Sequence, residues 1–256
     1  MSLSPTDMAA ELHALYGAGK MFTENLSGVL TLDEAYEAQF ALLQHRQNDG
    51  EKLAGWKVGL TSQAMQIQQG VHEPCLGHLL VSGHRGSSAR FEFDEMMSPG
   101  IENELCLEIG NRLEGKNVSF EEAAASISAI APALEVVEKR SVFGADFPLA
   151  IAGNAQQLAY VTGAFVPVTQ EVDLSTIEVS VEINGKTAEQ ATGAEVLGNP
   201  VNSLIWLAGF LSDHNLAIEP GSRIMSGSFT KQYAVSKADN IRSYFTQFGE
   251  VVAEFV

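Results

Sequence analysis

The stretch IENELCLEIG, residues 101–110, alternates acidic and apolar side chains. Successive residues of a strand point to opposite faces. Ile101, Leu105, Leu107 and Ile109 therefore share one face with Asn103, while Glu102, Glu104, Cys106 and Glu108 share the other. Neighbouring glutamates on that face lie roughly 7 Å apart at Cα, two rises of about 3.3 Å. If the face is wet, the pattern is ordinary. If it looks into a cavity, two carboxylates do not stay ionised side by side without a cation. Glutamate is a poor strand former, and free cysteine is among the most buried residue types. Both readings stand on these ten residues alone.

Outward from this stretch the chain reads as one large unit of 256 residues, 45% hydrophobic and 18% charged, an ordinary globular composition. Its net charge of −17 opposes binding to nucleic acid, which needs a basic surface, and to anionic membranes. No apolar run reaches the roughly 20 residues of a membrane span, and the N-terminus has no signal-peptide pattern. The two cysteines, Cys75 and Cys106, suggest neither a disulfide framework nor a zinc site. A cytoplasmic protein is expected.

Residues 1–52 read as a helical N-terminal subregion, with a capping box from Thr31 to Glu34 ahead of LDEAYEAQFALLQHRQ. Residues 53–256 read as one continuous β-rich catalytic domain. Strands are expected over 53–62 (running into a loop), 88–96, 133–138, 158–168, 177–183 and 222–229, with two more at the C-terminus. Asn184-Gly185 is a strong hairpin signal. A capping box from Ser119 to Glu122 predicts a helix over 120–129 with Pro132 beyond it, and Asn199-Pro200 predicts a helix start. The βαβ rhythm of a doubly wound sheet is absent.

Four features carry candidate chemistry. Glu102 and Glu104 offer hard oxygens of the kind Mg²⁺ or Mn²⁺ prefers. Glu135 sits inside the apolar segment AIAPALEVVEK, as either an exposed accident or a buried acid with a partner. Lys57, in GWKVGLTS, either snorkels or binds a substrate carboxylate and moves protons. The loop MSGSFTK, 225–231, offers the hydroxyls of Ser226, Ser228 and Thr230. His72 and His78 flank EPCLG and are possible pocket residues. No histidine spacing indicates zinc, and there is no GxSxG elbow.

GWKVGLTS (55–62), PGIENELCLEIG (99–110), PALEVVEKR (132–140), TGAEVLGNPVNSLIWLA (192–208) and RIMSGSFTK (223–231) occur in that order. Together they resemble the 2-oxopent-4-enoate (2-hydroxypentadienoate) hydratases of the fumarylacetoacetate-hydrolase-like superfamily, which also holds 4-oxalocrotonate decarboxylases and acylpyruvate hydrolases. The resemblance implies an α+β fold: a mixed β-roll with peripheral helices. It also implies Mg²⁺ or Mn²⁺, a homo-oligomer, and association with a pathway enzyme. Glu102, Glu104 and Glu135 become metal ligands, so the acidic face looks into the metal cavity. Lys57 becomes the cation beside the substrate, and Lys57 and Glu104 the catalytic residues. Ser228 and Asn154 become substrate contacts. Glu108 has no counterpart in that set.

The activity so implied is hydration of a 2-hydroxy-2,4-dienoate to a 4-hydroxy-2-oxo acid in aromatic catabolism. The alternatives are 4-oxalocrotonate-type decarboxylation, acylpyruvate hydrolysis, and a catalytically silent partner subunit. Two runs depart from the family pattern. Gly153-Asn154-Ala155-Gln156 stands where Asp-Asn-Ala-Ser is usual, and Val137-Glu138-Lys139-Arg140 where Val-Asp-Ser-Arg is common.

Overall fold

The computed structural model describes residues 3–141 and 146–256. Two helices, α1 (Pro5–Gly17) and α2 (Leu32–Asn48), form the N-terminal layer. Each opens on a capping box: the Ser4 and Thr31 hydroxyls accept the N–H of Asp7 and Glu34, whose carboxylates accept in return. Met8, Leu12, Ala35 and Leu42 are buried between this layer and the rest of the core.

The remainder runs in the order β1 (Leu53–Gly59), α3 (Gln63–Gln69), β2 (Cys75–Leu80), β3 (His84–Gly86), β4 (Ala89–Phe91), β5 (Pro99–Ile109), α4 (Phe120–Ala125), β6 (Ile127–Glu138) and α5 (Phe147–Ala152). It continues with β7 (Gln157–Thr162), β8 (Val166–Pro167), β9 (Glu178–Ile183), β10 (Lys186–Thr192), α6 (Val201–Asp213), β11 (Arg223–Met225), β12 (Tyr233–Ala234), β13 (Asn240–Phe245) and β14 (Gly249–Phe255). This is an α+β chain with mixed sheets.

The larger sheet has the order β2-β1-β11-β5-β6-β7-β3, with β12 added to β5 and β8 to β6. It curls into a roll, so that Leu79 of β2 and Tyr160 of β7 join one apolar cluster inside it. The smaller sheet, β10-β9-β13-β14-β4, packs outside it. Asn103, on the apolar face of β5, joins the two sheets. Its Oδ1 accepts from Ser243 Oγ at 2.6 Å, and its Nδ2 donates to Thr230 Oγ1 at 2.8 Å. Both faces of β5 are therefore covered.

The Asn184-Gly185 turn joins β9 to β10 with φ of 53° and 71°, the mirror-type geometry its residues favour. Asn199 Oδ1 accepts the Val201 N–H at 3.0 Å and starts α6. Four expectations shift. The strand expected over 88–96 is only Ala89–Phe91, and the one over 158–168 divides into β7 and β8. The helix expected over 120–129 ends at Ala125, and β6 begins at Ile127 and runs straight through Pro132. Pro132 lies where β6 passes from β8, paired at 129–130, to β7, paired from Ala133. Its carbonyl points to that side and accepts from Gly163, so the missing N–H costs no ladder bond. The strand expected over 222–229 is only Arg223–Met225, because Gly227 turns the chain at φ +106°. The strand β2, unforeseen in the sequence, is buried on both faces and carries no alternation to read.

The N-terminal helices share one continuous core with the sheets. Leu42→Ala is expected to cost about 2–5 kcal/mol and to shift a single urea transition followed by both helical and tryptophan signals. Two separated transitions would show that the helical subregion folds by itself.

Candidate metal centre

Antiparallel pairing of β5 and β6 sets Glu102 directly opposite Glu135 and Glu104 opposite Ala133. Like charges facing one another across a sheet repel. Here they also lie inside the roll: Glu104 and Glu135 are fully buried and Glu102 half-buried. One oxygen from each of the three lies within 4.8 Å of the others. From β1, Lys57, 4% exposed, brings Nζ to 3.4 Å from Glu135 Oε1. The Gly227 N–H donates to Glu104 Oε2 at 2.8 Å, and Gln232 Nε2 to Glu102 Oε1 at 3.1 Å. Apart from the Lys57 ion pair, Glu104 Oε1 and both oxygens of Glu135 have no hydrogen-bond partner among the described residues.

Burial raises the Glu104 carboxyl well above its usual range, and the charges of Glu135 and Glu102 push it further. Burial likewise pushes Glu135 up to about 7, against the opposing pull of Lys57. For Lys57, burial would lower the pKa, but Glu135, Cys75, Glu102 and Glu104 together raise it. One ammonium cannot balance three carboxylates, and orphaned buried oxygens cost free energy. A hard dication satisfies both demands, and its coordination sphere keeps positions for a chelating ligand. The three glutamates fit such an ion.

A cavity of about 620 Å³ opens over the cluster, lined among others by Glu102, Cys75, Gln156, Ser228 and Thr230. Ser228 borders the cavity, and its Oγ accepts the Asn103 N–H at 3.1 Å. Asn154, predicted to contact substrate, is instead buried beside the site. Its Oδ1 accepts from His78 N at 2.7 Å and its Nδ2 donates to His78 O at 3.0 Å. The amide thus clamps β2 to a turn in which Asn154, Ala155 and Gln156 all have positive φ. That turn delivers Gln156 to the cavity, with a buried Nε2 that has no partner among the described residues. His78 is fully buried under the N-terminal layer, where burial drops its pKa to about 3 with help from Arg46. His72 is exposed. Neither lines this cavity.

Several residues had no readable role in the sequence. Thr61 packs so closely on Gly227 that a Cβ there would meet its side chain at 2.4 Å. Cys75 borders the cavity, buried near Lys57. Gln232 holds Glu102. Each sits on a loop or on β2, where no periodicity marks it.

Both departures from the family pattern are divided: Gly153, Glu138 and Arg140 face the N-terminal layer, whereas Gln156 and Lys139 reach the cavity. A Cβ at Gly153 would lie 2.4 Å from the Phe22 ring, and the Gly153 carbonyl accepts from Tyr16 Oη at 2.6 Å. Glu138 and Arg140 form a buried ion pair at 2.7 Å, with the guanidinium 4.6 Å from the centre of the Tyr16 ring. Lys139 reaches the cavity rim.

A family model for the fumarylacetoacetate (FAA) hydrolase C-terminal region matches residues 76–256. The chain is 32% identical over 228 residues to a 4-oxalocrotonate decarboxylase of Pseudomonas putida, covering 89% of this chain and 86% of that one. It is 29% identical to a 2-keto-4-pentenoate hydratase of Paraburkholderia xenovorans strain LB400, over 88% of this chain and 84% of the relative. The solved structure of 4-oxalocrotonate decarboxylase from Pseudomonas putida G7, complexed with magnesium and adipate, superposes with a TM-score of 0.93 at 29% identity, covering 98% and 97% of the two chains.

The raised Glu135 carboxyl makes stability depend on pH in a definite direction. Below about pH 4.5 the group is protonated in both folded and unfolded chains. As pH rises through about 7 the unfolded chain has already released the proton that the metal-free fold retains, so this contribution is lost. In chelator-treated protein, wild-type Tm is expected to fall relative to Glu135→Gln across that window. Excess Mg²⁺ is expected to restore it most strongly above pH 7, because protons compete with the ion for the carboxylates. Parallel Tm profiles for the two proteins would remove the three-carboxylate account.

Proposed function

The chain belongs to the fumarylacetoacetate hydrolase family, and from that premise we propose that it is a divalent-metal-dependent hydratase of 2-hydroxy-2,4-dienoates. The observation that carries the proposal is the cluster of half-buried Glu102 with fully buried Glu104 and Glu135 beside Lys57, under a cavity lined by polar and apolar side chains. Glu102, Glu104 and Glu135 would hold Mg²⁺ or Mn²⁺, which when bound polarises a 2-oxo acid's carbonyl oxygen as a Lewis acid.

The other roles fall to the chain itself. Lys57, kept protonated by the surrounding carboxylates, is a poor proton donor. Its role is to neutralise and orient the carboxylate end of the substrate. Tautomerisation carries the enol proton to C5, and water then adds its hydroxyl to C4 and a proton to C3. Ser228, Thr230, Gln156, Gln190 and Gln232 are among the polar residues that line the cavity, with Lys139, Lys231, Glu189 and Glu195. They can hold the incoming water by hydrogen bonds.

The hydroxyl and amide side chains in the lining are what favours hydration, because they can hold a water molecule beside the bound substrate. The second reading, a 4-oxalocrotonate-type decarboxylase, is favoured by the two decarboxylase matches described above. It would use the same carboxylates and Lys57. A homo-oligomer in the cytoplasm, in contact with a neighbouring pathway enzyme, completes the proposal. Among the described residues no helix is long and apolar enough to cross a membrane.

Purified protein with Mg²⁺, given 2-hydroxypentadienoate, is expected to consume the dienol absorbance without releasing CO₂. Release of CO₂ from 4-oxalocrotonate, with the dienol untouched, would establish the decarboxylase instead, and inertness to both would refute the lyase reading. Glu104→Gln is expected to abolish turnover and weaken Mg²⁺ binding with the fold intact. Lys57→Ala is expected to lower kcat/KM by roughly 10²-fold or more, mainly through KM, as befits a lost charge-assisted contact. An unchanged KM would contradict the anchoring role.

A further inference from the structure

The acidic face of β5 has a third member, Glu108, that the metal cluster does not use. Four residues beyond Glu104, it lies about 13 Å further along the strand. Between the two ends the roll is filled by an apolar layer comprising Leu79, Cys106, Ala131, Ala133 and Met225, with Tyr160. Beyond that layer a second cavity, of about 640 Å³, opens at the opposite mouth. It shares no lining residue with the cavity over the glutamates.

Two charges meet there. Arg223, the first residue of β11, is the register partner of Glu108 on β5. Its guanidinium stands over the Phe165 ring, 5.2 Å from the centroid. Among the described residues neither Arg223 nor Glu108 has an ion-pair partner, although they line the same cavity. The other acid at this mouth, Glu219, is taken by Arg112 at 3.0 Å. His84 is held by Thr162 Oγ1 at 2.8 Å and rests on the Tyr160 ring, 5.1 Å between centroids. Burial and the charges of Arg223 and Arg85 lower its pKa, so it is neutral at pH 7. Tyr160 is fully buried; burial raises its phenol pKa, and Arg223 beside its hydroxyl works in the opposite direction. The remaining wall is largely apolar, with Leu53, Trp56, Val81 and Pro220 beside Ser222.

A separated cation and anion, a buried hydroxyl beside the cation and a largely apolar remaining wall call for a ligand with the complementary pattern. A simple anion would be repelled by Glu108, and a simple cation by Arg223. We propose that this second mouth binds a small zwitterion of the amino-acid type, its carboxylate on Arg223 and the Tyr160 hydroxyl, its ammonium on Glu108, and its apolar side chain against Leu53, Trp56 and Val81. A guanidinium braced on an aromatic ring has its fork pre-oriented for a carboxylate.

The test is calorimetric titration of L-leucine into the Mg²⁺-loaded protein with oxalate saturating the first cavity. Emission of Trp56 is followed in parallel in a Trp206→Phe background. One leucine per chain is expected, with a dissociation constant on the order of 1 mM, the scale for so few ligand atoms, and a shifted Trp56 emission. Arg223→Lys and Glu108→Gln are each expected to weaken binding about tenfold while leaving turnover unchanged. 4-Methylpentanoate, which lacks the ammonium, and 3-methylbutylamine, which lacks the carboxylate, are expected not to bind. No heat and no emission change with leucine would overturn the proposal. So would equal binding of either half-charged analogue, or leucine binding that both variants leave untouched. Each of these comparisons uses wild-type protein or a variant that keeps side-chain size, so a folding failure cannot imitate the result.

Discussion

Three carboxylates and one ammonium in the dry interior of a β-roll form the constraint on which the rest of this structure depends. Buried like charges are costly, and here Glu102 and Glu135 are forced opposite each other by the ladder itself. The surroundings offset part of that cost. Lys57 ion-pairs with Glu135, Gly227 donates to Glu104, and Gln232 to Glu102. Oxygens are still left bare, and a hard dication would meet that deficit.

Holding those groups in place takes strands from distant parts of the chain. β1 delivers Lys57, β5 and β6 deliver the acids, and β11 leads into the turn that delivers Gly227 and Ser228. Asn103 ties this turn to the outer sheet through Thr230 and Ser243, so the loop over the acids is anchored to both sheets. Rigid strands position such a cluster better than loops do. The same geometry explains why the roll has two unlike ends. Alternation along β5 carries an acidic side chain to each mouth, and the small and apolar residues between them seal one from the other.

The two departures from the family pattern acquire a physical sense once the N-terminal helices are in view. Phe22 fills the space over Gly153, and Tyr16 takes both the Gly153 carbonyl and the face of Arg140. These positions brace the helical layer against the turn at Asn154–Gln156, which in turn borders the cavity. The losses in sequence pattern are replaced by packing contacts, and the carboxylate cluster is left intact.

Much of this was legible in the order of residues. Alternation in 101–110 separated the acidic from the apolar face, the capping boxes placed α2 and α4, and Asn184-Gly185 placed a hairpin, because each rests on interactions a few residues apart. The family motifs named the three acids and Lys57. The sequence could not show which acids end up within reach of one another, since Glu102 and Glu135 meet only through a long-range pairing. It could not show that Asn154 would spend its amide on the β2 backbone, or that Arg223 would face Glu108. Local chemistry is written along the chain; the partners of a charge are decided by how far-separated strands come into register.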